Sequence, residues 1–399
     1  MGTFQHLRKE LTLGDGRKVV IAPATEFDAQ RIRWLYHCVY GGNYSFPIVY
    51  NADRCVEAIH SDRYLWLLAR SGNEAVASVI FTVDREIRLG KVFGGVVSDD
   101  FRKHGLMRVA ISMGLKALLE DERAVRSVYA TTRTVSLDPQ RLVEKLGFKR
   151  LGIFPNAHKV NTSETHTLAV HFAQGALEAR KERPRLPAIL RPFFAIVCRE
   201  TGIPEAEYAD LPMPVDAPDG PPVRFETIEA QEFILRRFAE RRSENRLVLD
   251  FFPFQEPNLL LVSSDGKTEI YSYRSAKDGH CVLTGAYSEN LEPGTLLDYG
   301  ARFLEDMGTR YLEVLIEAGD AEQIQEALGA GFIPSAYYPA MRWDPETGAP
   351  KDYVVLSRSL AILDFKGVVL QPAYADYLRE YLTLWSRLHI DKVFPRSAS

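Results

Sequence analysis

The residues best suited to chemistry sit together at 98–108, SDDFRKHGLMR, where Arg102, Lys103, His104 and Arg108 surround Gly105. Such a cluster makes a local trap for an anion, and Gly105 lets backbone approach a ligand with no Cβ between them. If a helix starts here, its first N–H groups have no intrahelical acceptor. Together with the positive end of the helix dipole they can hold phosphate oxygens without a metal. The same letters also fit a solvated turn in which Asp99 or Asp100 caps the helix. Just upstream, Gly94-Gly95 interrupts the apolar run Val92–Val97. Glycines weaken a strand, so the pair points to a bulge or to a close approach of backbone and ligand.

Other reactive side chains form no comparable pattern. His158, His166 and His171 are close in sequence but lack an HExxH spacing or cysteine partners, so they read as surface or core histidines and no metal is expected. Cys38, Cys55, Cys198 and Cys281 are far apart, with no CxxC, as in a cytoplasmic protein with reduced thiols.

The elements that must position the glycine turn can be read from periodicity. Lys18–Ala22 is a strand, Glu26–Cys38 an amphipathic helix, Tyr40–Tyr50 an aromatic, Gly-containing loop, and Asn51–His60 a second helix. Leu65–Ala69 and Ala75–Val83 form a hairpin. DREIRLGK then reads as a polar turn before the strand Val92–Val97. Leu106, Val109, Ala110, Met113 and Ala117 lie on one face of a helix, followed by a strand at Ser127–Thr132 and a helix at Pro139–Leu146 closed by Gly147. Strands around Arg150–Phe154 and Thr167–Phe172 complete the set.

The same grammar restarts after the proline-dense segment 211–222, LPMPVDAPDGPP. Strands are expected at Val223–Thr227, Leu259–Val262, Thr268–Tyr273, His280–Tyr287 and Tyr311–Ile316, with helices at Gln231–Arg242 and Leu296–Met307. Leu146-Gly147-Phe148 and Ala330-Gly331-Phe332 each precede an aromatic-proline pair, Phe154-Pro155 and Tyr338-Pro339. The match suggests a divergent duplication. The expected units are residues 1–175, a helical connector and linker at 176–222, a second copy at 223–365, and a tail at 366–399. Within the tail, Ala373–Ile390 forms an aromatic amphipathic helix packed on the second unit.

At 399 residues the chain is long for one core. A net charge of −4 with both signs interspersed argues against a nucleic-acid partner. The N-terminus lacks the apolar core of a signal peptide, and the most apolar window, Leu186–Cys198, is short and broken by Arg191 and prolines, so no membrane span is expected.

The order of elements over residues 15–175 resembles the GNAT family of acyl-CoA-dependent N-acyltransferases. Arg102-Lys103-His104-Gly105-Leu106-Met107 is similar to that family's pyrophosphate loop, R/Q-x-x-G-x-G/A, and Lys145-Leu146-Gly147-Phe148 to its K-L-G-F helix end. The resemblance implies an α/β (α+β) fold of two GNAT-like domains, each a mixed central sheet flanked by helices, plus a C-terminal helix. It further implies that acetyl-CoA or another acyl-CoA is the cosubstrate, with an amine as acceptor. Val96, Val97, Arg102, Lys103, His104, Gly105, Leu106 and Met107 would hold coenzyme A, and the Val97 N–H would polarise the thioester carbonyl. Glu26, Tyr40, Tyr44 and Tyr50 fall in the segment that lines the family's acceptor side.

Several positions depart from the family. Met107 replaces a small residue. Val143 stands where a tyrosine acid is usual, Ser136 where an asparagine often follows the strand, and the glycine-containing strand carries no carboxylate base. Tyr129 could supply the missing acid. The expected reaction is direct acetyl transfer to a primary amine of a small molecule or peptide. Two alternatives keep the fold: a longer acyl-CoA or acyl-carrier-protein donor, or a non-catalytic acyl-CoA sensor. In the second copy Glu292 replaces the arginine and Pro293-Gly294 replaces Lys-His-Gly, which removes a donor and adds charge repulsion. That half is not expected to bind coenzyme A in the same way, and would be structural or wall the acceptor pocket.

Overall fold

The computed structural model describes residues 4, 6–42, 44, 47–159, 163–212 and 223–390. Most of the proline-dense linker, and Asn43, Ser45 and Phe46 of the aromatic loop, lie outside the described residues.

The chain begins with the antiparallel strands β1 (Lys9–Thr12) and β2 (Lys18–Pro23). A short 3-10 turn leads into α1 (Ala29–Tyr40), and Asn51 caps α2 (Ala52–His60) by accepting the Arg54 N–H at 3.0 Å. The hairpin β3 (Tyr64–Ser71) and β4 (Glu74–Asp84) is followed by β5, which starts at Leu89 and ends at Val97. The polar turn before it is therefore shorter than its composition suggests, and Lys91 belongs to the strand. Next come α3 (Leu106–Lys116), which widens into a π turn, then β6 (Ser127–Arg133) and α4 (Asp138–Lys145). The long strands β7 (Lys149–Lys159) and β8 (Ser163–Phe172) close this half.

A connector holds β9 (Arg185–Pro187), α5 (Arg191–Thr201) and β10 (Glu207–Ala209), the two strands pairing parallel. The second half runs β11 (Phe225–Ile228), α6 (Gln231–Ser243), β12 (Leu259–Ser263), β13 (Thr268–Ser275) and β14 (His280–Ser288). It continues through α7 (Pro293–Asp306), β15 (Tyr311–Glu317), α8 (Ala321–Gly329), β16 (Ile333–Asp344) and β17 (Ala349–Ser359) to α9 (Pro372–His389).

The strands of the two halves join in one 15-stranded sheet, ordered β1-β2-β3-β4-β5-β6-β8-β7-β16-β17-β15-β14-β13-β12-β11. Read outward from the β7–β16 seam, where Gly152 faces Ala336, the order is equivalent in both directions except that β1 has no counterpart beyond β11. The irregularities match as well. Pairing slips at Arg150/Gly152 and Phe154/His158 in β7, and at Pro334/Ala336 and Tyr338/Arg342 in β16. Asn156 and Ala340 both take positive φ, at 58° and 51°.

α9 straddles the seam and is not confined to the second half. Tyr374, Tyr377 and Tyr381 recur at one-turn spacing and are fully buried, and the Tyr377 hydroxyl donates to the Arg150 carbonyl of β7 at 3.2 Å. Asp376 pairs with Arg199 of α5 at 2.6 Å. Among the described residues no helix is long and apolar enough to cross a membrane.

Candidate active site

Two neighbouring strands build the site. β5 pairs parallel with β6 only at Leu89–Lys91 against Ser127–Tyr129, and the strands then diverge to leave a slot. On the other edge of β5 the register with β4 passes from Ser78/Val96 to Ile80/Phe93, so Gly94-Gly95 forms a bulge. Gly94 has φ +66°, and a Cβ there would lie 2.9 Å from the Tyr36 hydroxyl. That hydroxyl donates to the Gly94 carbonyl at 2.5 Å, and burial pushes its pKa well above the usual range. Only glycine fits this position. The Ser98 N–H donates back to Val76 at 2.9 Å; by strand alternation the Val97 N–H points to the opposite edge, into the slot.

At the mouth of the slot, Asp99–Phe101 forms a 3-10 turn. Neither aspartate caps α3. The helix instead begins after Gly105, whose φ is +76°, with no side-chain cap. Lys103 is also left-handed, at φ +67°. The first bond into the helix is from Val109 N–H to Gly105 O, 3.1 Å, and the N–H groups from Lys103 to Arg108 have no acceptor among the described residues. Arg17 holds the turn from outside: it donates to the Asp100 carbonyl at 2.7 Å and lies 3.9 Å above the Phe101 ring. Arg102 pairs with Asp99 at 2.7 Å, and His104 lies 3.7 Å from Asp15. The Met107 sulfur packs beside Gly95. Unpaired donors beside exposed cations suit the pyrophosphate of coenzyme A.

The aromatic loop lies over the bulge. Tyr44 stacks obliquely on Tyr36 and Tyr40, with centroids 5.2 and 4.8 Å away, and the Tyr40 hydroxyl donates to Gly95 O at 3.4 Å. The Tyr50 oxygen accepts the Tyr44 N–H at 2.8 Å. Glu26 is not brought to the slot; it pairs with His60 at 2.9 Å and borders a separate cavity beside α1 and α2. Ser136 also stays apart, its carbonyl accepting from Gln140 at 3.3 Å near the start of α4.

A cavity of about 130 Å³ lies at the seam, lined from both halves. Lys91, Tyr129, His158 and His166 face His280, Glu313 and Tyr338 across it. The ring centroid of His158 is 4.7 Å from those of both His166 and His280, and His280 is 3.7 Å from Glu313. Burial, with His280, His166 and Lys91 adding to it, holds His158 well below the usual histidine range, so it is neutral. His171 lies elsewhere, with Nδ1 2.8 Å from Leu146 O. Among the described residues no cluster could hold a metal ion. Sequence reasoning missed Lys91, His280 and Glu313 as cavity residues. Lys91 was hidden by Gly90 and the charged letters around it, though Leu89, Lys91 and Phe93 share the alternation of one strand face.

The second half has a matching fork, but it is closed. β14 pairs with β15 only at His280–Val282 against Tyr311–Glu313. Beyond that point Val248 N–H donates to Ala286 O at 2.7 Å, and Ala286 N–H donates to Leu249 O at 3.0 Å, so the chain itself fills the edge. Phe238 presses on Gly285, where a Cβ would lie 2.4 Å from its ring. At the start of α7, Pro293 has no N–H and the Gly294 N–H donates to the Glu326 carboxylate at 3.0 Å. Arg246 and Tyr287 both engage Glu289 nearby.

Residues 29–148 match the profile of the acetyltransferase (GNAT) family. No curated protein matches the sequence. Among solved structures, the ribosomal-protein-S5-alanine acetyltransferase of Vibrio fischeri is similar over 42% of this chain and 97% of its own, at 12% identity and a TM-score of 0.37. A GNAT-family acetyltransferase of Streptococcus pneumoniae matches 39% of this chain and 99% of its own, at 17% identity and 0.35. NAA60 of Arabidopsis thaliana, solved with a bisubstrate analogue, matches over the same shares at 17% and 0.34.

Proposed function

We propose, for a chain that carries a GNAT acetyltransferase domain over residues 29–148, that it moves the acetyl group of acetyl-CoA directly to the primary amine of a small molecule. The run of unpartnered N–H groups from Lys103 to Arg108, at the mouth of an open slot, is the observation that carries this reading. Those donors, with Arg102 and Lys103, would hold the pyrophosphate. Acetyl-CoA, when bound, supplies an activated carbonyl. The Val97 N–H is aimed into the slot, where it would accept the charge that develops on that carbonyl oxygen. Tyr129 borders the cavity, and burial keeps its phenol protonated, so it has a proton to give.

The small seam cavity favours a compact amine over a peptide chain. Tyr40, Tyr44 and Tyr50 would form the apolar wall above the slot. We read the molecule as two related units, 1–175 and 223–365, joined by the connector 176–222 and braced by the tail from 366. The second unit would wall the cavity without binding coenzyme A. The four free thiols suit a reducing, cytoplasmic setting.

Titration calorimetry with acetyl-CoA, followed by thiol release against a panel of small primary amines, tests the proposal. The expected result is one acetyl-CoA per chain and release that depends on the amine. Binding without turnover on any amine would leave the sensor reading in its place, and no binding would remove both.

A further inference from the structure

We infer that Lys91 takes the proton from the acceptor nitrogen, and that Glu313, supplied across the seam by the second half, sets how readily it does so. The inference rests on the acetyltransferase reading above.

Lys91 is the last residue of β5 paired with β6, so it stands where the slot opens, and its side chain borders the seam cavity. Its Nζ lies 5.6 Å from the Tyr129 ring centroid and 5.9 Å from that of Phe93. Among the described residues it makes no ion pair and no hydrogen bond. An ammonium with no direct carboxylate or hydrogen-bond partner is poorly solvated there, and that desolvation favours the neutral amine, the form that can accept a proton. Desolvation holds the Lys91 pKa below the usual lysine range, and the Glu313 carboxylate pulls it partly back.

The other titratable groups facing it are less suited. Burial pushes the Tyr129 and Tyr338 phenols up, so they hold their protons. His158 is held neutral but is too weakly basic. His166 and His280 lie 3.8 and 3.7 Å from Glu164 and Glu313, which engage them. Asp99 and Asp100 are at the outer end of the slot and exposed.

The step balances. The N–C bond forms and the C–S bond breaks; the nitrogen gives one proton to Lys91, which returns it to solvent. The thiolate gains one proton from Tyr129, which recovers it from solvent.

The test measures kcat/KM against pH for wild type, Lys91→Met, Lys91→Arg and Glu313→Gln. Acetyl-CoA affinity is measured by calorimetry, and the lysine Cε signals are titrated by NMR in ¹³C-labelled protein. Lys91→Met and Lys91→Arg should each lower kcat/KM by about 10²–10³-fold, leave acetyl-CoA affinity within about twofold, and abolish the acid limb. The Cε signal missing from both variants should titrate with that limb in the wild type. Removing the Glu313 charge lowers the Lys91 pKa further, so in Glu313→Gln both the limb and that signal should move to lower pH, by roughly one unit. A Lys91→Met enzyme that keeps its rate and limb overturns the inference alone, as does a Lys91 signal titrating with the other lysines. If that variant does not fold, the signal assigned through Lys91→Arg and its shift in Glu313→Gln still decide. A wild type that binds acetyl-CoA but acetylates no amine overturns both readings.

Discussion

The two forks of the sheet are built alike and finished differently. In each, parallel strands pair over three residues and then part, at Lys91/Tyr129 in one half and Val282/Glu313 in the other. In the first half the helix start beyond the fork keeps its donors unpaired among the described residues. In the second, Val248, Leu249 and the Glu326 carboxylate take up the equivalent positions. A fork is therefore only scaffolding. What makes it a candidate binding site is a set of donors that the chain leaves unsatisfied, since such groups gain most when a ligand arrives.

The sharpest way to break the comparison is to change the glycine that opens each helix start. Gly105→Val forces a β-branched residue to φ +76° and puts bulk where phosphate would approach. Acetyl-CoA affinity should fall by about 100-fold or more, about 2.7 kcal/mol, in calorimetry. Gly294→Val should leave that affinity unchanged. Its Cβ would sit 3.0 Å from the Glu326 carbonyl, so stability alone should drop, by about 1–2 kcal/mol.

Each half also hides a carboxylate among arginines. Burial alone would raise the pKa of Asp28, but hydrogen bonds from Arg70 and Thr25 bring it to about 2. Glu269 is likewise opposed by burial and brought to about 2 by Arg241, Arg237 and Tyr271. Both folded values lie below the unfolded ones, near 4. Each group therefore contributes fully above about pH 4–5 and loses its roughly 2–3 kcal/mol as pH falls through 2. Asp28→Asn and Glu269→Gln should each cost about 3 kcal/mol at pH 7 and flatten the acid decline, read by chemical denaturation at several pH values. The continuous sheet predicts that both variants shift one common transition. Two transitions, each moved by only one variant, would make the halves independent folding units.

A smaller effect is expected from the charge at the loop. Arg102 is half-exposed and already paired with Asp99, so Arg102→Glu should lower acetyl-CoA affinity by about tenfold, with a weaker salt dependence.

Much of this was legible in the sequence because it depended on local physics. The glycine pair in β5, the helix after Gly105 and the turn at Gly147 follow from backbone sterics that single residues impose. The closed helix start of the second half was also foreshadowed, since Pro293 visibly lacks a donor. The occupants of its edge were not legible. Val248 and Leu249 lie in an irregular stretch, and only the tertiary fold brings them to Ala286. The seam cavity was hidden for the same reason. Lys91, His158, His280 and Glu313 come from separate strands, two of them across a seam whose register no local pattern announces. The alternative in which Asp99 or Asp100 caps the helix does not hold, because Phe101, drawn into the core, closes a 3-10 turn before the helix can begin.

The smallest effect bears directly on how the second fork is closed. Val248→Pro removes the N–H that donates to Ala286 while leaving the Leu249 carbonyl to accept from it, so the cost should be about 1 kcal/mol. If closure relied on this strand-like plug, loosening it would expose a second slot, and calorimetry would show more than one acetyl-CoA per chain. The helix start argues otherwise: Pro293 still offers no N–H, and Gly294 remains tied to Glu326. With Glu292 at the helix N-cap, a pyrophosphate would meet a carboxylate where the first half presents Arg102. Stoichiometry in Val248→Pro should therefore stay at one. A second binding event would show that the plug alone separates the two halves, and that the C-terminal fork is latent.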